Sequence, residues 1–411
     1  MISASKIAIH LLSFIFFLTY YSLPLVKVAG VNLKIILAFL LAFLMFFGLL
    51  FSCSNFKYLI KAFFGFSYTA KAVFLLIFYK ILLHLFHLQP PPIYELLTTQ
   101  ILSLCYFFIA ATYILYAGAK WYVIISSFAV APTLLVALGQ LLGVDFFWNI
   151  RYSFGVDTTQ DYSATLIFRT DAVGLDLFSI PLSYKIVTLL FFYSFWKVQT
   201  GRLSVSGVMP ASLLSILSST RSVLLASVVA FLTLKMSIRG KIISLAFLFA
   251  IVALLIWGGR GGWFINGSSV GRFYLFYSGV DVFFKNPFGI TGNYFDYVDS
   301  MNPAVTSLVN DFVRLDSSWA EKFTPHNFLI NTALGFGVFG LIMSLWLAIN
   351  LVRRTPTVNG VNLASLYLLI IFINGSFHNA GFLYNDFDFM FGVALLEVFI
   401  FKRMHKEYGK I

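Results

Sequence analysis

The sequence predicts an all-α polytopic membrane protein of about 12 transmembrane helices, with one large and one medium external segment. Three observations predict it. Hydrophobic residues make up 60% of the chain and charged residues 11%, whereas about a quarter of an ordinary soluble domain is charged. The mean hydropathy is +0.90. Apolar runs of roughly the 20 residues needed to cross about 30 Å of hydrocarbon recur from one end to the other.

The runs divide the chain in order. Residues 1–143 hold five, at 7–23, 33–51, 70–88, 97–118 and 121–143. The first ends Tyr21-Ser22-Leu23-Pro24 with no small-x-small cleavage site after it, so it reads as a retained span. Residues 144–181 form the medium external segment, with Arg151, Asp157, Asp161, Arg169, Asp171 and Asp176 among aromatics. Residues 182–258 carry runs six to nine, at 182–198, 207–220, 222–236 and 241–258. Only Arg221 parts the seventh from the eighth, so they read as two helices or as one hydrophobic hairpin. Residues 259–326 are the large external segment. Residues 327–411 complete the set with runs at 327–351, 361–377 and 387–401, an external loop at 378–386 and a cytoplasmic tail.

Charge placement orients these spans. With the N-terminus inside, the cytoplasmic ends collect Lys57, Lys61, Lys71, Lys120, Lys197, Arg202, Lys235, Arg239, Lys241, Arg353, Arg354, Lys402 and Arg403. Every acidic residue except Glu397 and Glu407 falls on the other side. Short loops rich in Lys and Arg stay in the cytoplasm, so both termini inside satisfies the rule throughout. The net charge of +12 therefore reflects topology and does not indicate a nucleic-acid partner. Cys53 and Cys105 fall at different depths and do not pair. Lys80 and Glu397 read as the clear charges inside spans, with His84 and His87 following Lys80 on one face. Such charges mark function by default, and the alternatives for Lys80 are snorkelling or a structural pair with a carbonyl.

The chemistry gathers outside. The large segment opens Arg260-Gly261-Gly262-Trp263, passes Gly271-Arg272, turns at Asn286-Pro287-Phe288-Gly289-Ile290-Thr291-Gly292, and closes on His326-Asn327-Phe328-Leu329. It contains no H-x-x-H, P-loop or G-x-S-x-G. Arg221, at the external tip of an apolar hairpin, is costly there unless an anion meets it, and its guanidinium fork fits a phosphate. Arg272 repeats this logic at the head of an amphipathic run that ends at Lys285. Exposed N–H groups of the Gly- and Pro-containing turn are further anion donors. His326 stands at the mouth of a span as a candidate general base.

Together Ser219-Thr220-Arg221-Ser222, Gly271-Arg272 with the downstream Pro287-to-Gly292 turn, and His326-Asn327 followed by Gly335, Gly337 and Gly340 resemble the bacterial O-antigen polymerase and O-antigen ligase superfamily. The resemblance runs over roughly residues 150–400, and the topology extends it to the whole chain. Two departures stand out. The turn has one residue more between its glycines than the family's Pro-x-Gly-x-Gly, and Ala333 and Leu334 occupy the place of an acidic residue.

The resemblance implies a metal-independent GT-C glycosyltransferase of the inner membrane, without cofactor, active on the external face. Its donor would be an oligosaccharide on undecaprenyl diphosphate. Arg221 and Arg272 would bind the diphosphate, and His326 would be catalytic. Arg151, Arg169, Arg260, Lys285, Asn327, His378 and Asp386 are further substrate-binding candidates. The acceptor is a lipid-linked glycan for a polymerase and the lipid A core for a ligase. A chain-length regulator protein is an implied partner. The polymerase reading is preferred because the chain is rich in Phe, Ile and Lys. A shape–elongation type peptidoglycan polymerase lacks support because no acid is placed like its catalytic Asp. A polysaccharide flippase or permease is the alternative of another class. It should line a membrane-deep cavity with charges, and it would show paired broken spans in two halves.

Overall fold

The computed structural model describes residues 4–24, 26–48, 54–90, 92–153, 175, 179–199, 223, 225–226, 267–292, 294, 297, 325, 327–358, 360–376 and 387–407. These residues are mainly helical. In chain order the helices are α1 Ala4–Ser22, α2 Leu33–Phe46, α3 Ser54–Phe66, α4 Tyr68–Phe86 and α5 Ile93–Leu96. A π-helical turn, Leu97–Ile101, joins α5 to α6 Leu102–Ala117. There follow α7 Ala119–Leu141, α8 Asp145–Tyr152, α9 Ser179–Gln199, α10 Gly267–Lys285, α11 Phe328–Arg354, α12 Leu363–Gly375 and α13 Phe387–Glu407. Two short antiparallel hairpins, β1 Lys27–Val28 with β2 Val31–Asn32 and β3 Thr357–Val358 with β4 Val361–Asn362, lead into α2 and α12.

Four of these helical stretches are long and apolar enough to cross a membrane: Tyr68–Phe86, Ile93–Ala117, Ala119–Gln140 and Phe328–Arg354. Shorter apolar helices cover Ile7–Ser22, Leu33–Phe46, Leu182–Trp196 and Leu363–Gly375. The expected runs at 207–220, 222–236 and 241–258 lie almost wholly outside the described residues. Helix α3 was not expected, nor was α8 inside the medium external segment. Residues 54–66 were assigned to a cytoplasmic connection, yet α3 forms there because Phe63 turns inward, fully buried, against Phe107 and Phe401. Lys57, Tyr58 and Lys61 stay on its exposed face. A search for continuous apolar runs passes over such an amphipathic helix.

Packing centres on α6, which contacts α2, α7 and α13, while α11 contacts α4, α10 and α12. Helices in hydrocarbon gain little from the hydrophobic effect, so close side-chain contact must hold them together. Here aromatic rings supply it. Phe391 of α13 is surrounded by Phe16, Phe17, Tyr20, Tyr21 and Tyr106, with ring centroids 4.9 to 6.4 Å away. Each well-oriented ring pair adds about 0.5–1.5 kcal/mol.

Glu397, one of the charges expected inside a span, has a structural role. It is fully buried on α13 and accepts from Ser67 Oγ at 2.5 Å, Thr69 N at 2.8 Å and Thr69 Oγ1 at 2.7 Å. Ser67 in turn is the N-cap of α4, its Oγ accepting from Ala70 N at 3.1 Å. The carboxylate therefore satisfies N–H and O–H groups at a helix N-terminus, where the backbone dipole favours negative charge.

Candidate functional site

The site is built where α11 breaks. Gly337 has φ 61 and ψ −155 inside the helix, interrupting its backbone ladder. The turn that follows α10 sits in the gap and replaces the missing bonds. Ile290 N donates to Leu334 O at 2.8 Å, and Val338 N donates to Pro287 O at 2.9 Å. Gly289 N donates within the turn to Asn286 O at 2.9 Å. The N–H groups of Gly289 and Ile290, offered by the sequence as anion donors, are thus both engaged inside the fold. The expectation fails for Ile290 because the helix break supplies an acceptor that sequence patterning does not reveal, and for Gly289 because the turn closes on its own Asn286 O.

Helix α4 closes the junction. Lys80, 4% exposed, donates from Nζ to Ile290 O at 3.2 Å and to Gly335 O at 3.3 Å, and pairs with Glu95 Oε1 at 3.5 Å. One ammonium therefore joins the turn, the helix break and α5. The structural pairing with a carbonyl, one of the alternatives for Lys80, is what the structure contains, twice over. Tyr79 reinforces it: Oη donates to Phe288 O at 2.7 Å, and the ring stacks on Phe339 at 4.5 Å.

This junction sets α10 against the start of α11. Val282, Ile290, Tyr294, Ile330 and Leu334 form one buried apolar cluster. Gly279 allows the close approach, since a Cβ there would lie 2.6 Å from Ile330 Cγ2 and 2.7 Å from Pro325 Cγ. Arg272 belongs to α10 and Asn327 is the N-cap of α11, so two of the motif-bearing segments are brought side by side. Asn327 Oδ1 accepts from Leu329 N at 3.0 Å and from Ile330 N at 3.2 Å. The oxygen of this substrate-binding candidate is therefore committed to capping. Lys285 ends α10, half exposed, with Nζ 2.7 Å from Asp281 Oδ2 one turn earlier. Arg151 lies in α8, which packs against α7. Arg169, Arg221, Arg260, His326, His378 and Asp386 lie outside the described residues.

Two ionisable residues escaped the sequence reading. Lys185 on α9, 3% exposed, donates to Tyr21 O at 2.6 Å, the C-terminal end of α1. Asp388 on α13, 8% exposed, accepts from Tyr20 Oη at 3.2 Å. Tyr367 Oη donates to the backbone oxygens of Asp388 and Phe389 at 3.4 and 2.8 Å. Both had a readable signal. Lys185 is the fourth residue of an apolar run and was passed over, and Asp388 is the second residue of another and was counted with the external acids.

No family model matches the chain, nor does any curated protein or solved structure.

Proposed function

We propose that this protein is a membrane glycosyltransferase that moves a glycan from an undecaprenyl-diphosphate carrier onto the hydroxyl of a lipid-linked repeat unit. It would act as an O-antigen or related surface-polysaccharide polymerase on the outer face of the inner membrane. The observation that carries the reading is the junction at Gly337. It packs the helix that carries Gly271-Arg272 against the Asn327-capped start of α11, so segments bearing parts of two of the three motifs behind the family resemblance are neighbours. The four apolar helices of membrane-spanning length suit a lipid-linked donor.

In this reading an acceptor oxygen attacks the anomeric carbon of the donor sugar. The bond from that carbon to the diphosphate breaks, and the diphosphate leaves with the electron pair. Arg221 and Arg272 offset its charge, while His326 takes the proton of the attacking hydroxyl. Neutralisation by guanidinium groups makes a divalent cation dispensable, so activity should survive EDTA.

The test is reconstitution in liposomes with a lipid-linked oligosaccharide repeat unit, with products resolved on a gel. A ladder supports the polymerase. One shifted band that needs added lipid A core indicates the ligase. Lipid that crosses the bilayer without new glycosidic bonds would refute the enzyme reading in favour of a flippase.

A further inference from the structure

A buried histidine near one end of α4 has an unused hydrogen-bonding atom. His84 is 4% exposed and lies one helical turn beyond Lys80, just before α4 ends at Phe86. Its Nδ1 is 3.2 Å from Pro90 O. A carbonyl oxygen only accepts, so Nδ1 carries the proton and the neutral ring leaves Nε2 as an acceptor. That Nε2 is buried without a hydrogen-bond partner. An orphaned buried polar atom costs on the order of 1–3 kcal/mol, a penalty that a donor reaching Nε2 would remove.

The surroundings limit what that occupant can be. The Lys80 ammonium, one turn away, already has its two backbone carbonyls and Glu95. With three N–H groups it has no further donor to offer an anion. Glu95 leaves the cluster partly open, its side chain 34% exposed. Nε2 needs a donor, and the cluster already balances one positive against one negative charge. A neutral O–H group meets both conditions, whereas a phosphate brings acceptors only, plus charge the site does not offset.

We propose that His84 Nε2 accepts a hydrogen bond from a glycan hydroxyl, making the Lys80–His84–Glu95 cluster a sugar-binding subsite for the acceptor. The proposal rests on the glycosyltransferase reading for the word acceptor, but not for the hydroxyl. Position favours it. Charge distribution puts this end of α4 outside, and Lys80 ties the cluster to the turn after α10 and to α11. The subsite thus adjoins the turn after α10 and the break in α11, on the two helices that also carry Arg272 and the Asn327 cap, and it engages sugar without entering the bond-making step.

The experiment uses full-length protein with 15N-labelled histidine in nanodiscs, titrated with the same lipid-linked oligosaccharide, alongside the transfer assay. His84→Gln identifies the His84 resonances among the six histidines. Binding should move the Nε2 resonance from that of a free acceptor towards a hydrogen-bonded one. In a transfer assay with a separate acceptor, the same oligosaccharide lacking the diphosphate leaving group, His84→Phe should raise the acceptor KM about three- to tenfold with kcat and donor KM little changed. His84→Gln, which keeps a polar tip, should recover most of that loss and serves if the Phe variant does not fold. A resonance already hydrogen-bonded before titration and unmoved by it means that water fills the gap and overturns the proposal. So does an unchanged acceptor KM in both variants. A moved resonance without any glycosyl transfer would leave the hydroxyl subsite standing and remove the transferase reading instead.

Discussion

Gly289 and Gly337 let two stretches of backbone meet where a side chain on either would push them apart. Gly289 has φ 95 and Gly337 φ 61, a region that strains other residues. A Cβ on Gly337 would lie 2.4 Å from Pro287 O and from the Phe288 carbonyl carbon. One on Gly289 would lie 2.9 Å from Gly337 N. Two chain segments therefore meet backbone to backbone, and the hydrogen bonds Ile290 N to Leu334 O and Val338 N to Pro287 O follow from that approach. A continuous helix would have closed those groups on itself and left no seat for the turn.

Gly337→Ala should accordingly be among the most damaging single substitutions in the described residues. It adds about 1 kcal/mol or more of backbone strain to a contact with backbone atoms that cannot rotate away. A loss of at least about 3 kcal/mol is expected, read as a large fall in thermal midpoint or in yield of folded protein. Gly335→Ala is the control, because its Cβ would meet nothing within 4 Å and its φ is ordinary. Equal stability of the two variants would contradict the junction.

Lys80→Met should cost far more than Glu95→Gln. Methionine keeps an unbranched side chain one atom shorter but leaves Ile290 O and Gly335 O without their donor in a buried setting, a loss of about 3 kcal/mol. The Glu95 side chain is 34% exposed and faces the ammonium at 3.5 Å, so solvent screening should hold its contribution below about 1 kcal/mol. Unfolding of both single variants and the double variant gives the coupling. If Glu95→Gln proves as harmful as Lys80→Met, the ion pair, and not the carbonyl contacts, holds the junction.

Glu397→Ala should destabilise by about 2 kcal/mol without altering activity per folded molecule. Alanine strands the Thr69 N–H and two hydroxyls at the start of α4. Glu397→Gln keeps one acceptor oxygen and should retain most of the stability. Reconstituted turnover, normalised to folded protein, separates the two effects. A fall in normalised turnover would give Glu397 a part in function that its contacts do not suggest.

The helical character was legible in the sequence because apolar runs this long have few other solutions, and α2 and α12 start within two residues of the runs expected there. The polar interior was less legible. That Lys80 would meet a carbonyl was one of the alternatives, but its acceptors lie 210 and 255 residues away along the chain. No local pattern names such partners. The break in α11 was equally hidden, since nothing local in Gly335, Gly337 and Gly340 says which of them leaves the helical conformation. Gly279, Gly289 and Gly337 gain meaning only when the second segment is in place. Asp388 shows the opposite failing: it stood just inside an apolar run, and counting acidic residues by side of the membrane absorbed it.

Arg272→Lys should remain severely impaired under the proposed reaction. Lysine keeps the charge but loses the two parallel N–H groups that fit a phosphate. Losing one preorganised donor to developing negative charge costs on the order of 10²- to 10³-fold in rate. Arg221→Ala should fall at least as far. Turnover near wild type in either variant, measured with the lipid-linked oligosaccharide, would remove the diphosphate clamp.

The most demanding prediction concerns His326. A sugar hydroxyl is a weak nucleophile at neutral pH, while a diphosphate leaves readily once its charge is offset, so the reaction asks for one base near the acceptor. General-base assistance contributes about 10²- to 10⁴-fold. His326→Ala should therefore lose at least about two orders of magnitude in kcat while still binding the donor. Because the base must be unprotonated, wild-type activity should fall on the acid side, with a limb near the ordinary imidazole value of about 6.5. The variant should lose that limb. The competing role is structural, since His326 immediately precedes the cap of α11. That cap, however, is made by Asn327 Oδ1 on Leu329 N and Ile330 N, which leaves the histidine no part in those two bonds. A structural His326 would tolerate His326→Gln or His326→Asn with most activity kept and the acid limb intact. That outcome would move the base to another group, with Asp316, Glu321 and Tyr294 the residues to substitute next.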